Sequence, residues 1–396
     1  MSNPLDWLDD SLADLDRRAL HRRLATRQSQ QRGDRIEIDG QSLVNFGSND
    51  YLGLAADPAM IAAVRSALDD AGWGAGASPL VTGRASLHAQ LERELAAFEQ
   101  TEAALLFPTG YAANVGAITS LVGKEDAVYS DELNHASIID GCRLSRAAIH
   151  IYPHTIMSGT RVEDLRRLEA LLRDGSRFRR RLIVTETLFS MHGDYAPLGG
   201  LAELAARYAA MLLVDEAHAT GVFGGGGRGL CENYGGAEGV HVRVGTFSKA
   251  LGSQGGFVVG PHKLIDWLAN RARPYIFSTA SPAAVAAAGL TALDIVRREP
   301  QRREKLLEIA VELRRQLVLA GLIQSTSLSQ IVPIILRDPI RTLNVAAELR
   351  RRGFFVPAIR PPSVPNGQSL LRISVTYLHT EQQVNDLVAA LCEVAR

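Results

Sequence analysis

The chain has 396 residues, 46% of them apolar, which is enough for two domains or for one large domain with a smaller one beside it. Lys plus Arg and Asp plus Glu balance at 43 each, so bulk charge draws it neither to nucleic acid nor to an anionic membrane. Its three cysteines, Cys142, Cys231 and Cys392, are odd in number and far apart, which argues against a disulfide framework or a metal cluster and suits a reduced, cytoplasmic protein.

The start, Met1-Ser2-Asn3-Pro4-Leu5-Asp6, lacks a basic stretch followed by an apolar core, so no signal peptide is expected. No apolar run is long enough to span a bilayer. Leu5, Leu8, Leu12 and Leu15 stand near helical spacing, and residues 1 to about 30 read as a polar amphipathic helix ending in arginines, Arg22 among them. Arg35 to Gly40 alternates like a hairpin strand with a glycine turn. Asn45 to Gly53, which holds Asn49, mixes aromatic with small polar residues; such a loop is either a structured turn or the lining of a site.

Gly72 to Ser78 is dense in glycine, a weak signal for a phosphate-bearing ligand. A helix with Leu87, Leu91, Leu95 and Phe98 on one face follows. The strand Ala103–Phe107 then breaks at Pro108-Thr109-Gly110-Tyr111, and a helix begins near Ala112. That puts free N–H groups and a positive dipole end near Gly110 and Tyr111, a seat for phosphate, although an ordinary strand-to-helix turn reads the same way. Further strands end at His135, at Glu186 before Ser190, and at Asp215 before His218. Apolar runs of this kind, separated by helical segments, mark a parallel sheet buried on both faces, where ligands lie beyond the carboxyl ends of the strands.

The strand Val242-Arg243-Val244-Gly245 breaks at Thr246-Phe247-Ser248-Lys249, and small residues and glycines lead into Phe257-Val258-Val259. A lysine in such a pocket loses hydration, and its neutral amine can form a Schiff base with an aldehyde. Alone, Lys249 reads as a solvated loop residue. Gly110, His135, Ser190, Asp215, His218 and Lys249 together form a constellation at five strand ends. The run Gly224 to Gly229 satisfies G-x-G-x-x-G in letter only: no strand leads into it and no apolar helix opens from it, so it reads as a flexible loop. From about Thr291 a small α/β pattern follows. It comprises a long helix through Leu306 and Leu317, a strand Ile331–Leu336, a helix stopped by Gly353, a strand Leu370–Val375, and a last helix opened by the capping box Thr380-Glu381-Gln382-Gln383. The divisions read from the sequence are an arm over residues 1–45, a large domain over 46–290 and a small one over 291–396.

The commonest protein-bound aldehyde for a lysine is pyridoxal phosphate. Its phosphate needs donors, which Gly110, Tyr111, Ser248 and Thr246 offer. Its ring nitrogen needs a carboxylate, for which Asp215 is placed. Its phenolic oxygen needs a donor, His218, and its ring a flat partner, His135.

Val214-Asp215-Glu216-Ala217-His218, with Thr246-Phe247-Ser248-Lys249-Ala250-Leu251-Gly252 downstream, resembles the α-oxoamine synthases. These are pyridoxal-phosphate enzymes of the aspartate-aminotransferase fold (fold type I, α/β, with a mainly parallel central sheet and a smaller C-terminal α/β domain). They join an amino acid to an acyl-CoA with loss of carbon dioxide. The likeness runs from Asn45 to Ser374. Within the family, Ala358 to Pro365 is most similar to the branch that condenses L-alanine with pimeloyl-CoA, or a carrier-protein thioester, for biotin. The resemblance implies Lys249 as Schiff base and general base, Asp215 on the ring nitrogen, His218 on the phenolic oxygen and His135 stacked on the ring. It implies Gly110, Tyr111, Ser190 and Thr246 around the cofactor, and Thr279 reaching the phosphate of the neighbouring subunit of a homodimer. It further implies Arg372 on the amino-acid carboxylate, with Asn49, Ser363 and Arg22 serving the substrates. No metal, nucleic acid or membrane is implied. Two departures stand out: Thr155-Ile156 follows Pro153-His154 where the family has an asparagine–aspartate pair, and Ala219 replaces a glycine found in some members. The first is expected to have a local structural effect and the second none. Sibling activities, such as joining glycine to acetyl-CoA, are the near alternative. A non-catalytic, pyridoxal-phosphate-binding regulator is the remote one, and the short arm lacks the DNA-binding domain it would need.

Overall fold

The computed structural model describes residues 3–154, 157–158, 161–162, 165–234, 239–324 and 327–395. Thr155 and Ile156, where an effect of the departure was expected, lie outside them. The chain opens with α1 (Trp7–Arg17), shorter than the helix expected over the first 30 residues. It stops because Ala19 turns left-handed, at φ +54°, and the N–H groups of Leu20 and His21 fold back onto the carbonyl of Leu15. The hairpin β1 (Arg35–Ile38) and β2 (Gln41–Asn45) follows. Its turn holds Asp39 and Gly40 at φ +52° and +73°, the left-handed pair that a two-residue hairpin turn requires.

Next come α2 (Pro58–Ala71), α3 (Ser86–Glu99), β3 (Ala103–Phe107), α4 (Gly110–Leu121), β4 (Ala127–Asp131), α5 (Ala136–Ser145) and β5 (Ala148–Tyr152). The short strands β6 (Met157–Ser158) and β7 (Arg161–Val162) precede α6 (Arg166–Asp174), β8 (Arg181–Glu186), α7 (Leu198–Arg207) and β9 (Met211–Asp215). The series continues with β10 (Val242–Thr246), β11 (Gly256–Gly260), α8 (His262–Arg271), α9 (Arg273–Ile276) and α10 (Ala283–Arg298). The last stretch holds α11 (Gln301–Leu319), β12 (Ile331–Arg337), α12 (Pro339–Arg351), β13 (Phe354–Phe355), β14 (Ala358–Ile359), β15 (Ser369–Ser374) and α13 (Glu381–Val394).

Two units result. Residues 52–190 and 194–304 form one; residues 1–51, 191–193 and 305–396 form the other. Residue 291 lies within α10, and the units change over in sequence at Glu304 and Lys305. The larger unit is built on a seven-stranded sheet in the order β3-β11-β10-β9-β8-β4-β5. Every neighbouring pair is parallel except the two that involve β11, so the sheet is mainly parallel, as the apolar runs require. Strands β4, β9, β10 and β11 are almost wholly buried, which is why they lack polar alternation. The helix α4 is apolar nearly all round and packs into this core with Ala113, Ala117 and Ile118 fully buried. Gly116 lets it approach the sheet: a Cβ there would lie 2.8 Å from Phe107 Cε1. The Gly224–Gly229 run wraps the Glu232 carboxylate, which accepts from the N–H groups of Gly226 and Arg228 at 2.8 and 3.1 Å. The smaller unit holds two three-stranded sheets, β1-β2-β13 and β12-β15-β14, and α13 carries the expected capping box.

A buried charge cluster ties the end of β4 to the chain beyond β8. His154 Nδ1 lies 3.0 Å from Asp131 Oδ1, and its Nε2 lies 3.4 Å from Asp194 Oδ2. Burial disfavours the imidazolium, but hydrogen bonds to the two carboxylates outweigh it and push its pKa up to about 10. A raised histidine pKa means that the stabilisation is complete below the unfolded value and is lost as pH rises through about 10. His154→Gln, which cannot carry the charge, should therefore lower stability at pH 7 by about 3–5 kcal/mol. Urea midpoints for wild type and variant should converge above that pKa; a gap that is unchanged across the range would show that the cluster is not ionised.

Candidate functional site

The carboxyl ends of the parallel strands β3, β4, β8, β9 and β10 all open on one edge of the sheet, and the residues singled out at these strand ends lie along it. Asp215 closes β9 and is 6% exposed. Its Oδ2 accepts from Asn114 Nδ2 at 2.6 Å and its Oδ1 from the Ala217 N–H at 2.8 Å. The Asn114 amide also donates to Ser137 Oγ at 3.0 Å, and that hydroxyl lies 2.8 Å from His135 Nδ1. His135 is the N-cap of α5, where its Nδ1 accepts from the Ser137 N–H at 3.2 Å. Burial pushes the imidazole below its usual pKa; the nearby Asp215 charge opposes this and Lys249 reinforces it. Its ring is therefore a neutral, oriented plane at neutral pH.

Lys249 sits in the turn after β10, half-buried, with its Nζ 2.8 Å from His218 Nε2. An N···N contact of this length needs one partner to offer a lone pair, so at least one of the two nitrogens lacks a proton. The turn is held by the Gly252 N–H donating to the Lys249 carbonyl. Gly252 stands at φ +60°, and a Cβ there would meet the backbone of Leu54 and Ala55 at 2.6 Å, so only glycine suits it.

The third part of the arrangement is the start of α4. Thr109 caps it by accepting from the Ala112 N–H, which leaves the first-turn N–H groups of Gly110 and Tyr111 without partners inside the helix. A Cβ on Gly110 would approach Thr246 Cβ to 3.3 Å, and one on Gly256 would strike Thr109 O at 2.4 Å. The glycines thus let the turn close over the sheet edge beside the Thr246 and Ser248 hydroxyls, which lie 2.8 Å apart. The Tyr111 side chain turns away and donates to Asp140 Oδ2 at 2.5 Å, so its contribution at the turn is its backbone N–H.

Ser190 follows β8 and is buried; Thr279 is exposed between α9 and α10. Arg372, Asn49, Arg22 and Ser363 belong to the smaller unit. On β15, Arg372 Nη1 donates to Asn49 Oδ1 at 3.0 Å and to Ser374 Oγ at 2.8 Å, while its Nη2 donates to the Tyr51 hydroxyl at 3.3 Å. Arg22 is exposed and donates to the carbonyls of Arg360 and Pro361, and Ser363 is exposed in the loop that follows.

Two residues near Asp215 had no role in the sequence reading. Asn114 holds its carboxylate, and its only sequence signal is its place one turn after Gly110. Glu186, the last residue of β8, stands in register with Asp215 and is 3% exposed. Burial and the Asp215 charge push its pKa up to about 8, against the pull of Lys249. The donor set fits pyridoxal phosphate: an amine, a carboxylate fixed by an amide, a neutral ring, and a helix start ringed by hydroxyls. Among the described residues no cluster of His, Cys, Asp or Glu could hold a metal ion, and no helix is long and apolar enough to cross a membrane.

An 8-amino-7-oxononanoate synthase from Anaeromyxobacter sp. (strain K) is 47% identical over 390 residues, covering 98% of this chain and 96% of that protein. The solved serine palmitoyltransferase of Sphingomonas wittichii matches with a TM-score of 0.92 at 33% identity, covering 100% of this chain and 98% of that one. The solved 8-amino-7-oxononanoate synthase of Francisella tularensis matches with a TM-score of 0.75 at 27% identity, covering 89% of this chain and 97% of that one. The description "aminotransferase class I and II" matches residues 41–391, and with it the chain belongs to that family, in its fold-type I, pyridoxal-phosphate-dependent form.

Proposed function

We propose that this chain is an acyltransferase that joins L-alanine to a pimeloyl thioester with loss of carbon dioxide, giving 8-amino-7-oxononanoate for biotin synthesis. The observation that carries the reading is the Lys249–His218 pair, 2.8 Å apart, on the same sheet edge as Asp215, in a chain 47% identical over nearly its whole length to a synthase of that name.

Bound pyridoxal phosphate supplies an electron sink for the charge left on the amino acid's Cα when a proton or carbon dioxide departs. Asp215, fixed by Asn114 and Ala217, is the negative charge that keeps a proton on the ring nitrogen. The N–H groups of Gly110 and Tyr111 and the hydroxyls of Thr246 and Ser248 hold the phosphate. His135 offers its neutral face to the ring, His218 serves the phenolic oxygen, and Ser190 helps to hold the cofactor. Lys249 Nζ would anchor the cofactor and, once released, take the Cα proton and later return one. Arg372 binds the amino-acid carboxylate with a fork oriented by Asn49, Ser374 and Tyr51. Arg22 and Ser363 meet the acyl substrate. Support for a cationic acyl site comes from Arg360, which is 8% exposed: burial lowers its pKa and the neighbouring Arg22 lowers it further, a strain that an anion would relieve.

A homodimer with Thr279 serving the partner's phosphate is part of the reading. Its support is an exposed apolar region: Trp73, Val81 and Phe277 are 67%, 73% and 70% exposed, and the Ala280 N–H bonds the Ala77 carbonyl, joining their segments.

Three outcomes test the proposal. Asp215→Asn keeps the shape and removes the charge, so kcat should fall by at least about a hundredfold, read in steady-state turnover. Mixing inactive Lys249→Ala with an inactive Thr279→Ala chain should restore activity, because one hybrid site regains both residues; no recovery in a mixed dimer would remove Thr279 from the partner's site. Last, product formation should be compared for alanine, glycine and serine with pimeloyl-, acetyl- and palmitoyl-CoA. Alanine with pimeloyl-CoA should lead. Glycine should be poor and not excluded, since one methyl group is worth only about 1–3 kcal/mol. The preference for pimeloyl-CoA over an uncharged acyl-CoA of equal length should shrink in Arg22→Ala. Preferred use of serine with palmitoyl-CoA would favour the activity named for the Sphingomonas neighbour instead.

A further inference from the structure

The histidine at the start of α3 is buried, and one of its two ring bonds leaves the helix. His88 is 5% exposed. It stands three residues after Ala85, the N-cap of α3, and its Nδ1 accepts from the Ala85 N–H at 3.0 Å. That is the reach-back half of a capping box, a place where glutamate or glutamine usually serves. Burial holds the imidazole below its ordinary pKa, so the ring is neutral at neutral pH. With Nδ1 committed as an acceptor, the one ring proton is on Nε2. That nitrogen donates to the Ser281 carbonyl at 2.9 Å, across 193 positions of sequence. Capping the helix needs no such second bond.

The second bond reaches the segment that carries Thr279. Upstream of Thr279, the Phe277 N–H donates to the Arg273 carbonyl at 3.0 Å and closes α9. Downstream, the Ala280 N–H donates to the Ala77 carbonyl at 3.0 Å, and His88 holds Ser281. Gly83 lets these segments close, since a Cβ there would lie 2.8 Å from the Ala280 Cβ. Arg84, next in the chain, donates from Nε to Glu92 Oε2 at 3.0 Å and ties this turn to α3. The Thr279 side chain is exposed, but its backbone lies between two fixed points. A β-branched side chain has few rotamers, so the place of its hydroxyl follows from its backbone.

We propose that His88 is a positioning residue: through the Ser281 carbonyl it fixes the backbone that presents the Thr279 hydroxyl to the cofactor phosphate of the partner subunit. This role rests on the reading of Thr279 as a contact to that phosphate. It differs from helix capping in the atom it needs. A cap needs an acceptor at Nδ1, whereas the anchor needs a donor at Nε2. It differs also in where its effect falls, because His88 of one chain serves the site built on Lys249 of the other.

The test compares two substitutions. In His88→Asn the side-chain oxygen takes the place of Nδ1, but nothing reaches Ser281. In His88→Gln the amide takes the place of Nε2, and its oxygen suits the cap. His88→Phe, which fills the space of the ring without its nitrogens, replaces the asparagine variant if that chain does not fold. In the cofactor-free proteins, hydrogen exchange over the peptide holding Ala280 should speed up at least about tenfold in His88→Asn and less than about threefold in His88→Gln. In the loaded proteins, release of pyridoxal phosphate should speed up at least about tenfold in His88→Asn and no further when Thr279→Ala is added, since two changes to one contact are not additive. Affinity for pyridoxal, which lacks the phosphate, should match wild type in both variants. In a mixed dimer of His88→Asn with Lys249→Ala, the one remaining Lys249 takes Thr279 from a chain whose His88 is intact. Release from that lysine should therefore be as slow as in wild type. Fast release from the mixed dimer, wild-type exchange in His88→Asn, or equal losses in the asparagine and glutamine variants would overturn the assignment. If Thr279→Ala releases the cofactor no faster than wild type, the reading of Thr279 falls and this role with it, while exchange at Ala280 still shows whether His88 holds the segment.

Discussion

The negative charge of Asp215, buried at the tip of a central strand, is the constraint around which the larger unit is arranged. A carboxylate taken out of water is tolerated only when hydrogen bonds and opposite charges replace its hydration. Here an asparagine amide, a backbone N–H and a nearby lysine do so. Each of them fixes something else in turn. The Asn114 amide reaches on to Ser137 and so to His135, and Lys249 is held against His218. The neighbouring Glu186, in register on the next strand, is left to keep its proton. The orientation of the His135 ring and the raised pKa of Glu186 both trace back to one charge in a dry place.

Topology makes this arrangement available. Parallel strands bring their carboxyl ends to one edge, so residues from β3, β4, β8, β9 and β10 meet although more than a hundred residues separate the first from the last. The single antiparallel strand, β11, has a different task. It returns the chain from Lys249 beneath the start of α4, and Gly256 and Gly110 remove the side chains that would block the crossing. The proposed phosphate seat is thus a product of sheet order and of two missing Cβ atoms, with the Thr246 and Ser248 hydroxyls added at its rim.

What could be read in the sequence is what is coded locally. Lys249, Asp215 and His218 each follow an apolar strand-like run and stand in short, specific motifs, and Gly110 lies at a strand-to-helix break, so their meeting at one edge could be inferred from the strand pattern alone. The capping box at Thr380 and the stop at Gly353 were legible for the same reason. Asn114 and Glu186 were not. Asn114 bonds a residue 101 positions away, and the place of Glu186 beside Asp215 depends on the register between β8 and β9, which no single segment specifies. The N-terminal helix was over-extended because leucine spacing gives a period but no end. The end comes from a left-handed alanine, a residue type with no preference for that conformation. Arg22 shows another limit: its sequence marks it as a cation, whereas only the structure shows that it leans on the Arg360 and Pro361 carbonyls.

The division of labour between the units bears on how one scaffold serves several substrates. The groups proposed to handle protons and charge at Cα, Lys249, His218, Asp215 and His135, all lie in the larger unit, and on that reading changing any of them would disturb every reaction of this type. The candidates for choosing substrates, Arg372, Asn49, Arg22 and Ser363, all lie in the smaller one. The Arg372 fork is set by three neutral oxygens, which orient the guanidinium without cancelling its charge, so it suits the carboxylate common to all amino acids and discriminates little among them. Discrimination must then come from what surrounds the side chain and the acyl tail. There a single methyl group is worth little, and an unmatched charge is worth a great deal. On the proposed reading, a dicarboxylic acyl group is therefore the part of the substrate pair that this chain would be best equipped to select, through the Arg22 and Arg360 cations, and the choice of amino acid would be the more permissive of the two.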